Sequence, residues 1–342
     1  MTPLRITKDH SAFSFTAAAA PVAEVDSGAL VVLETSDEAY EKLSRGVPYQ
    51  ELHSQMNAVT GPLAVRGAEP GDALRVTLIE IGILRAWAAW IPGFGILGRR
   101  TETQQVAEVP LADGHLCIGR QLRVPLDPMV GCIGVAPRRG VGSAIGQCGP
   151  WGGNMDLREF RPGTSLCLPV FHPGALLSLG DVHAAMGAGE PCFVAIEASA
   201  EVTVRIDLEK GRRLEHPRLD LPEGTAFLGM GQSLWAAQKS ACEQAFEHLI
   251  SECGLQPFEA FAFASACMEW RLGGPAWPMA LAYVPRPGAT SSGDGFGRSG
   301  SLSDAVTPRL PGLCTVRASR AGGPPTVSPE SCPFPRSSGH RQ

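Results

Sequence analysis

What this chain lacks narrows its function before what it contains. No block of lysine or arginine interrupts it, and its net charge of −5 leaves no basic face for nucleic acid or for an anionic membrane surface. No stretch reaches the roughly eighteen uninterrupted apolar residues of a membrane-spanning helix, and Lys8, Asp9 and His10 ahead of a short alanine run do not have the order of a secretory signal. A cytoplasmic location is therefore the default expectation. The 10 cysteines include no CxxC pair, which argues against a structural zinc knuckle or a redox dithiol. Most sit in apolar segments (Cys132, Cys167, Cys192, Cys242, Cys267), so they are read as reduced core residues. No internal repeat is visible, and long apolar periodic runs are scarce.

What is present is a chain of 342 residues with 44% hydrophobic content, enough for a substantial core. High counts of glycine, 40, and proline, 29, favour many short strands joined by turns over a helical bundle. Strands are expected at Ala29–Glu34, Leu63–Val65, Ala73–Ile81, 166–170 and 192–208; in the last, Val202, Val204 and Ile206 point one way and Thr203, Arg205 and Asp207 the other. A glycine-rich loop, IPGFGILG at 91–98, interrupts the strands. One helix is expected from a Ser233 cap to Cys253, with Gly254 in the stop position and Leu234, Ala237, Ala241, Ala245 and Leu249 as its apolar stripe. A shorter helix opens at Pro257 and runs to about Cys267, and a last strand is expected at 279–285. Strands early and helices late suggest a mainly β protein, a β-sandwich with a small appended α+β section. The boundaries expected are a β-rich part at 1–224 that carries the site, an α+β section at 225–286, and a disordered tail at 287–342 rich in glycine, proline and serine.

Two segments gather chemistry among glycines: GGNMD at 152–156 and GDVHAAMGAGE at 180–190. Asn154 and Asp156 are two residues apart, as are Asp181 and His183, so on extended backbone each pair projects from one face. Glu190 follows a glycine-flanked turn. For an isolated GDxH, a turn-capping aspartate and a hydrogen-bonded structural histidine would be the ordinary reading.

These segments belong to a wider pattern. TGPLAVRGAEPGD at 60–72, IPGFGILG at 91–98, GCIGVAP at 131–137, GGNMD at 152–156, LPVFHPGALLSLGDVHAAMGAGE at 168–190 and AIE at 195–197 together resemble the acetamidase/formamidase family of amide hydrolases, in that family's order and over roughly residues 10–286. The resemblance implies a jelly-roll-like β fold, hydrolysis of short aliphatic amides to carboxylate and ammonia, a divalent metal with zinc ahead of calcium, and a homo-oligomer. Where relatives commonly read HAAQGDGE, this chain carries Met186 and Ala188, and Trp151 stands where several relatives have a polar residue.

Amides resist water because resonance makes the carbonyl a poor electrophile and the amine a poor leaving group, and a metal with a nearby carboxylate addresses both problems. Within the resemblance, Asp181 and His183 are expected as metal ligands with Asp156, and Glu190 as a further ligand or the general base. Asn154 is expected to orient the substrate amide or brace a carboxylate. Glu197 is a candidate for orienting a ligand, with a cross-strand ion pair as the alternative. His53 and Asp37, in the N-terminal half, could reach the site across the sandwich but read first as surface or turn residues, as do His172 and Asp72, and Cys148 is the one thiol considered as a nucleophile. The non-enzymatic alternative is a metal-stabilised β-sandwich that binds a small molecule.

Overall fold

The structure, a computed structural model, describes residues 3–276 and 278–287. The tail expected at 287–342 lies, from residue 288 onward, outside the described residues.

The protein is mainly β, with a small helical part. Sixteen strands are hydrogen-bonded into one sheet whose main path runs Gly152–Asn154, Met129–Gly134, Leu177–Ala185, Ile196–Glu209, Ala73–Trp90, Ser165–Pro169, Arg218–Leu221, Gly224–Met230, Met279–Pro285 and Glu269–Leu272. Each neighbouring pair on this path is antiparallel. The sheet folds over itself because two strands change partner along their length. Leu177–Ala185 pairs first with Val59–Val65 and then, past a register shift, with Ile196–Glu209, which further on pairs with Ala29–Glu34. Strands that switch layers in this way turn the corners of a β-sandwich.

The alternation in Ile196–Glu209 is as expected: Val202, Val204 and Ile206 are fully buried, and they face a core that includes Val31, Leu33, Val76 and Leu78. Each such side chain contributes roughly 1.5–3 kcal/mol when removed from water. The strand expected at Ala73–Ile81 continues to Trp90. Its period-2 pattern slips at Ile79 and again at Leu84, both exposed, where the ladder to Ile196–Glu209 shifts register. Each bulge inserts an unpaired residue and hides the continuation from a reading by alternation.

The long helix is Leu234–Ser251, with the Ser233 hydroxyl accepting from Ala236 N at 3.2 Å and Gly254 at φ +73° just past its end. Ala237, Ala241, Ala245 and Leu249 are buried, but Leu234, expected on that stripe, is exposed in the first turn. The helix lies on Gly224–Met230, where a Cβ on Gly229 would come within 1.9 Å of the Ala237 carbonyl oxygen, so glycine sets this approach. Pro257–Cys267 and Met279–Pro285 form as expected. A helix not expected from the sequence, Glu38–Ser44, buries Tyr40 and Leu43 against Leu52, Met56 and Trp87. The cysteines divide: Cys132, Cys148 and Cys167 are buried, whereas Cys192 is exposed on a loop and Cys242 and Cys267 are partly exposed. Among the described residues, no helix is long and apolar enough to cross a membrane.

Candidate active site

The register of neighbouring strands assembles the site. His183 faces Met129 on one side and Glu197 on the other, while Cys132 is paired with both Asn154 and Gly180. Four adjacent strands thus bring residues 154, 181, 183 and 197 together, and the loops that follow supply Asp156 and Glu190. Extended backbone does not do this alone. Asp156, Asp181 and Glu190 have φ of +45°, +55° and +43°, and Asn57 beside them has +54°. Left-handed conformations at non-glycine residues cost of order 1–3 kcal/mol each and persist where the surroundings impose them, most often at functional sites.

The resulting cluster is dense and buried. His183 Nε2 lies 3.5 Å from Glu197 Oε2, 3.7 Å from Asp181 Oδ1 and 3.8 Å from Asp156 Oδ1. Two overlapping groups, Asp156–Asp181–His183 and His183–Glu190–Glu197, each place their ligand atoms within 4.8 Å of one another. Asn57 Nδ2 donates to Asn154 Oδ1 at 3.1 Å and to Asp181 Oδ2 at 2.9 Å, tying Asn154 to the cluster. Ala195 N donates to Glu197 Oε1 at 3.1 Å. Glycines make the room: a Cβ on Gly131 would fall 2.5 Å from Asp156 Oδ1, and one on Gly274 2.3 Å from Asp156 Oδ2.

Burial and mutual repulsion dominate the electrostatics. Burial, with His183 partly opposing it, lifts Glu190 to about 7 and Glu197 to about 8. Asp156 is likewise held well above the usual carboxylate range by burial and by the Glu190 charge. Burial alone would push His183 down, but Glu197, Asp181 and Asp156 more than offset it and hold the imidazole well above its ordinary value. Tyr40, buried on the Glu38–Ser44 helix, is raised by burial and by the charges of Glu197, Asp181 and Glu190.

This cluster fits a cation. Four carboxylates share one imidazole, and among the described residues no lysine or arginine lines the cavity that also holds Tyr49, Phe94 and Phe193. Asp156 Oδ1, which faces His183 Nε2, is buried without a hydrogen-bond partner. Buried charge of one sign requires compensation, and orphaned buried polar atoms call for a partner that the protein does not supply. The separations of 3.5–3.8 Å are too long for hydrogen bonds, but ligands held about 2.0–2.2 Å from a common zinc lie roughly this far apart.

The cluster forms the floor of a cavity of about 300 Å³ walled by Tyr49, Ile91, Phe94, Ile145 and Phe193. His53 also lines it, its ring edge-on to Tyr49 at 5.5 Å. Of the residues singled out in the sequence, Asn154, Asp156, Asp181, His183, Glu190 and Glu197 are all brought together here. The others are not. Asp37 accepts the Trp87 indole N–H at 2.8 Å, Asp72 caps a turn through Glu69 N and Gly211 N, and His172 bonds the Pro137 carbonyl at 2.9 Å. Cys148 is buried, its thiol is pushed up to about 12 by burial, and it does not line the cavity. Trp151 also lies outside the cavity wall and packs against Phe15 and Cys132. Met186 joins Met129 and Ala195 in a small apolar cluster, whereas Ala188 is exposed. Sequence reasoning missed Tyr40, Asn57, Gly131 and Gly274. Only Gly131 carried a usable signal, as a glycine inside a strand that implies a close approach.

A β fold turned at strand-switching corners, with an acidic and imidazole centre under a small cavity, defines a hydrolase-type site. The acetamidase/formamidase family model matches residues 144–276. The chain is similar in structure to the acetamidase of Bacillus halodurans, at 29% identity and a TM-score of 0.77 over 82% of this chain and 97% of that one. It is similar to a recombinant predicted acetamidase/formamidase of Thermoanaerobacter tengcongensis at 30% identity and a TM-score of 0.76, covering 83% of this chain and 95% of the other. An acetamidase of Mycolicibacterium smegmatis is 28% identical over 217 residues; the match spans 45% of this chain and 53% of that protein, about half its length. The chain belongs to the acetamidase/formamidase family.

Proposed function

We propose that this protein hydrolyses linear amides of the formamide and acetamide type to carboxylate and ammonia, with a divalent ion held by Asp181, His183 and Asp156. The observation that carries this reading is the convergence of four buried carboxylates and one imidazole on the floor of a cavity open to a small molecule. When bound, the ion supplies positive charge that polarises the amide carbonyl and acidifies water. An imidazole among the donors suits zinc better than calcium, which takes oxygen ligands.

The protein's own groups do the rest. Glu190, on the cavity floor beside His183, takes a proton from the attacking water at its carboxylate oxygen and returns it to the departing nitrogen, so one group serves both transfers. The water oxygen bonds to the carbonyl carbon, the C–N bond breaks, and nitrogen leaves as ammonia. Asn154 has its Oδ1 engaged by Asn57, which leaves Nδ2 as the donor it offers to the substrate carbonyl. Glu197, 3.5 Å from His183 Nε2, orients the imidazole.

Ammonia release from formamide and acetamide, measured with elemental analysis of the same preparation, tests the proposal. Turnover that depends on a stoichiometric divalent ion supports it. Bound metal with no turnover on any short amide would favour a metal-stabilised binding protein instead.

A further inference from the structure

The cavity above the acidic floor is larger than acetamide and is walled by aromatic rings. At roughly 30 Å³ of liquid volume per water, its 300 Å³ holds the equivalent of about ten waters, whereas acetamide has four heavy atoms. The wall opposite the floor is a group of rings at defined angles. Phe94 and Phe193 meet edge to face, centroids 6.3 Å apart and planes at 84°, and Tyr49 tilts against Phe94 at 5.3 Å. Rings disposed this way present both a face and an edge to a third ring, the two arrangements that aromatic pairs prefer.

The wall is also held in place. A Cβ on Gly95 would lie 2.4 Å from the Cys192 carbonyl oxygen and 3.0 Å from Phe193 Cβ, so the 91–98 loop and the loop carrying Phe193 are packed backbone to backbone. Phe193 itself has φ +63°, a strained conformation maintained by that packing. Ile91 and Ile145 extend the apolar part of this wall. Preformed apolar pockets with a few convergent polar groups are where small ligands bind.

We infer that the site prefers primary amides whose acyl group is apolar and planar, benzamide being the simplest, with the amide on the acidic floor and the aryl group among Tyr49, Phe94 and Phe193. The inference rests on the amidase reading for its chemistry but not for its binding geometry. One pocket-filling group in an apolar site changes kcat/KM by roughly 10- to 200-fold.

The test measures kcat/KM for benzamide and acetamide in the metal-loaded enzyme and in Phe94→Ala, Phe193→Ala and the milder Phe94→Leu. The benzamide-to-acetamide ratio should fall at least about tenfold in the alanine variants and less in the leucine variant. A ratio unchanged within about threefold in every variant that retains the native circular dichroism overturns the inference. If neither amide yields ammonia, the amidase reading fails, and titration calorimetry then decides the binding claim separately. Tighter binding of benzamide than of acetamide, lost in Phe193→Ala, upholds it, and equal or absent binding of the two removes it.

Discussion

His183 Nε2 sits 3.5 Å from Oε2 of Glu197, its partner across the ladder, and His183 alone belongs to both overlapping donor groups, Asp156–Asp181–His183 and His183–Glu190–Glu197. The histidine is thus the shared element of the centre, and its removal should affect everything built around it. His183→Ala and Asp181→Ala are expected to lose the bound ion and to release ammonia at least about a hundredfold more slowly, since an ion at the carbonyl is worth several kcal/mol. Metal content, ammonia release and far-UV circular dichroism on the same samples check this. Full activity in either variant would remove it from the centre.

The raised carboxylates predict how stability depends on pH. Glu190 at about 7 and Glu197 at about 8 stand above the ordinary carboxylate value near ~4.3, so the ion-free folded state binds more protons than the unfolded chain. Their stabilising contribution is complete below about pH 4 and is lost as pH rises through about 7 to 8. In chelator, the melting temperature should therefore fall from about pH 5 to pH 8, and excess divalent ion should reverse the fall, because the ion takes the deprotonated form. Thermal denaturation at constant ionic strength reads this out, and a melting temperature in chelator that climbs over the same range would contradict it.

Gly131 and Gly274 make room for the Asp156 carboxylate, so Gly131→Ala and Gly274→Ala should displace it. Ion affinity is expected to drop by about 10- to 100-fold, the usual cost of disturbing the groups that support a ligand. Competition with a chelator of known strength measures the loss.

Tyr40→Phe deletes the hydroxyl that Tyr40 brings to the cavity beside Glu197 while keeping the buried ring. An effect of about tenfold or more on kcat, with a shifted pH profile and little change in melting temperature, is expected of a positioning residue. A pure loss of stability with an unchanged profile would make Tyr40 structural only.

Cys148→Ala should hydrolyse amides like the parent, because that thiol is buried, titrates about 12 and does not line the cavity. Ser233→Ala removes a helix cap and should cost about 1 kcal/mol in denaturant titrations without touching the site.

Much of this arrangement is written locally in the sequence. Ser233, Gly254 and Pro257 mark the two late helices because caps, stops and first-turn prolines act over a few residues, and Val202, Val204 and Ile206 carry a clean period of two. Asn154, Asp156, Asp181, His183 and Glu190 stand in two short glycine-flanked segments. What escaped depends on distance. Asn57 meets Asn154 and Asp181 only through pairings 97 and 124 residues away. Tyr40 reaches Glu197 from a helix too short to announce itself by periodicity. The strand runs on past Ile81 to Trp90 unseen in the sequence pattern because bulges at Ile79 and Leu84 break the alternation.

The left-handed backbone at Asn57, Asp156, Asp181 and Glu190 has a consequence for engineering. Copying these side chains onto straight strands of another scaffold would aim them in the wrong directions. A designer who wishes to transplant this centre must carry over its kinks and the glycines beside them, and must find a host stable enough to absorb their conformational penalty.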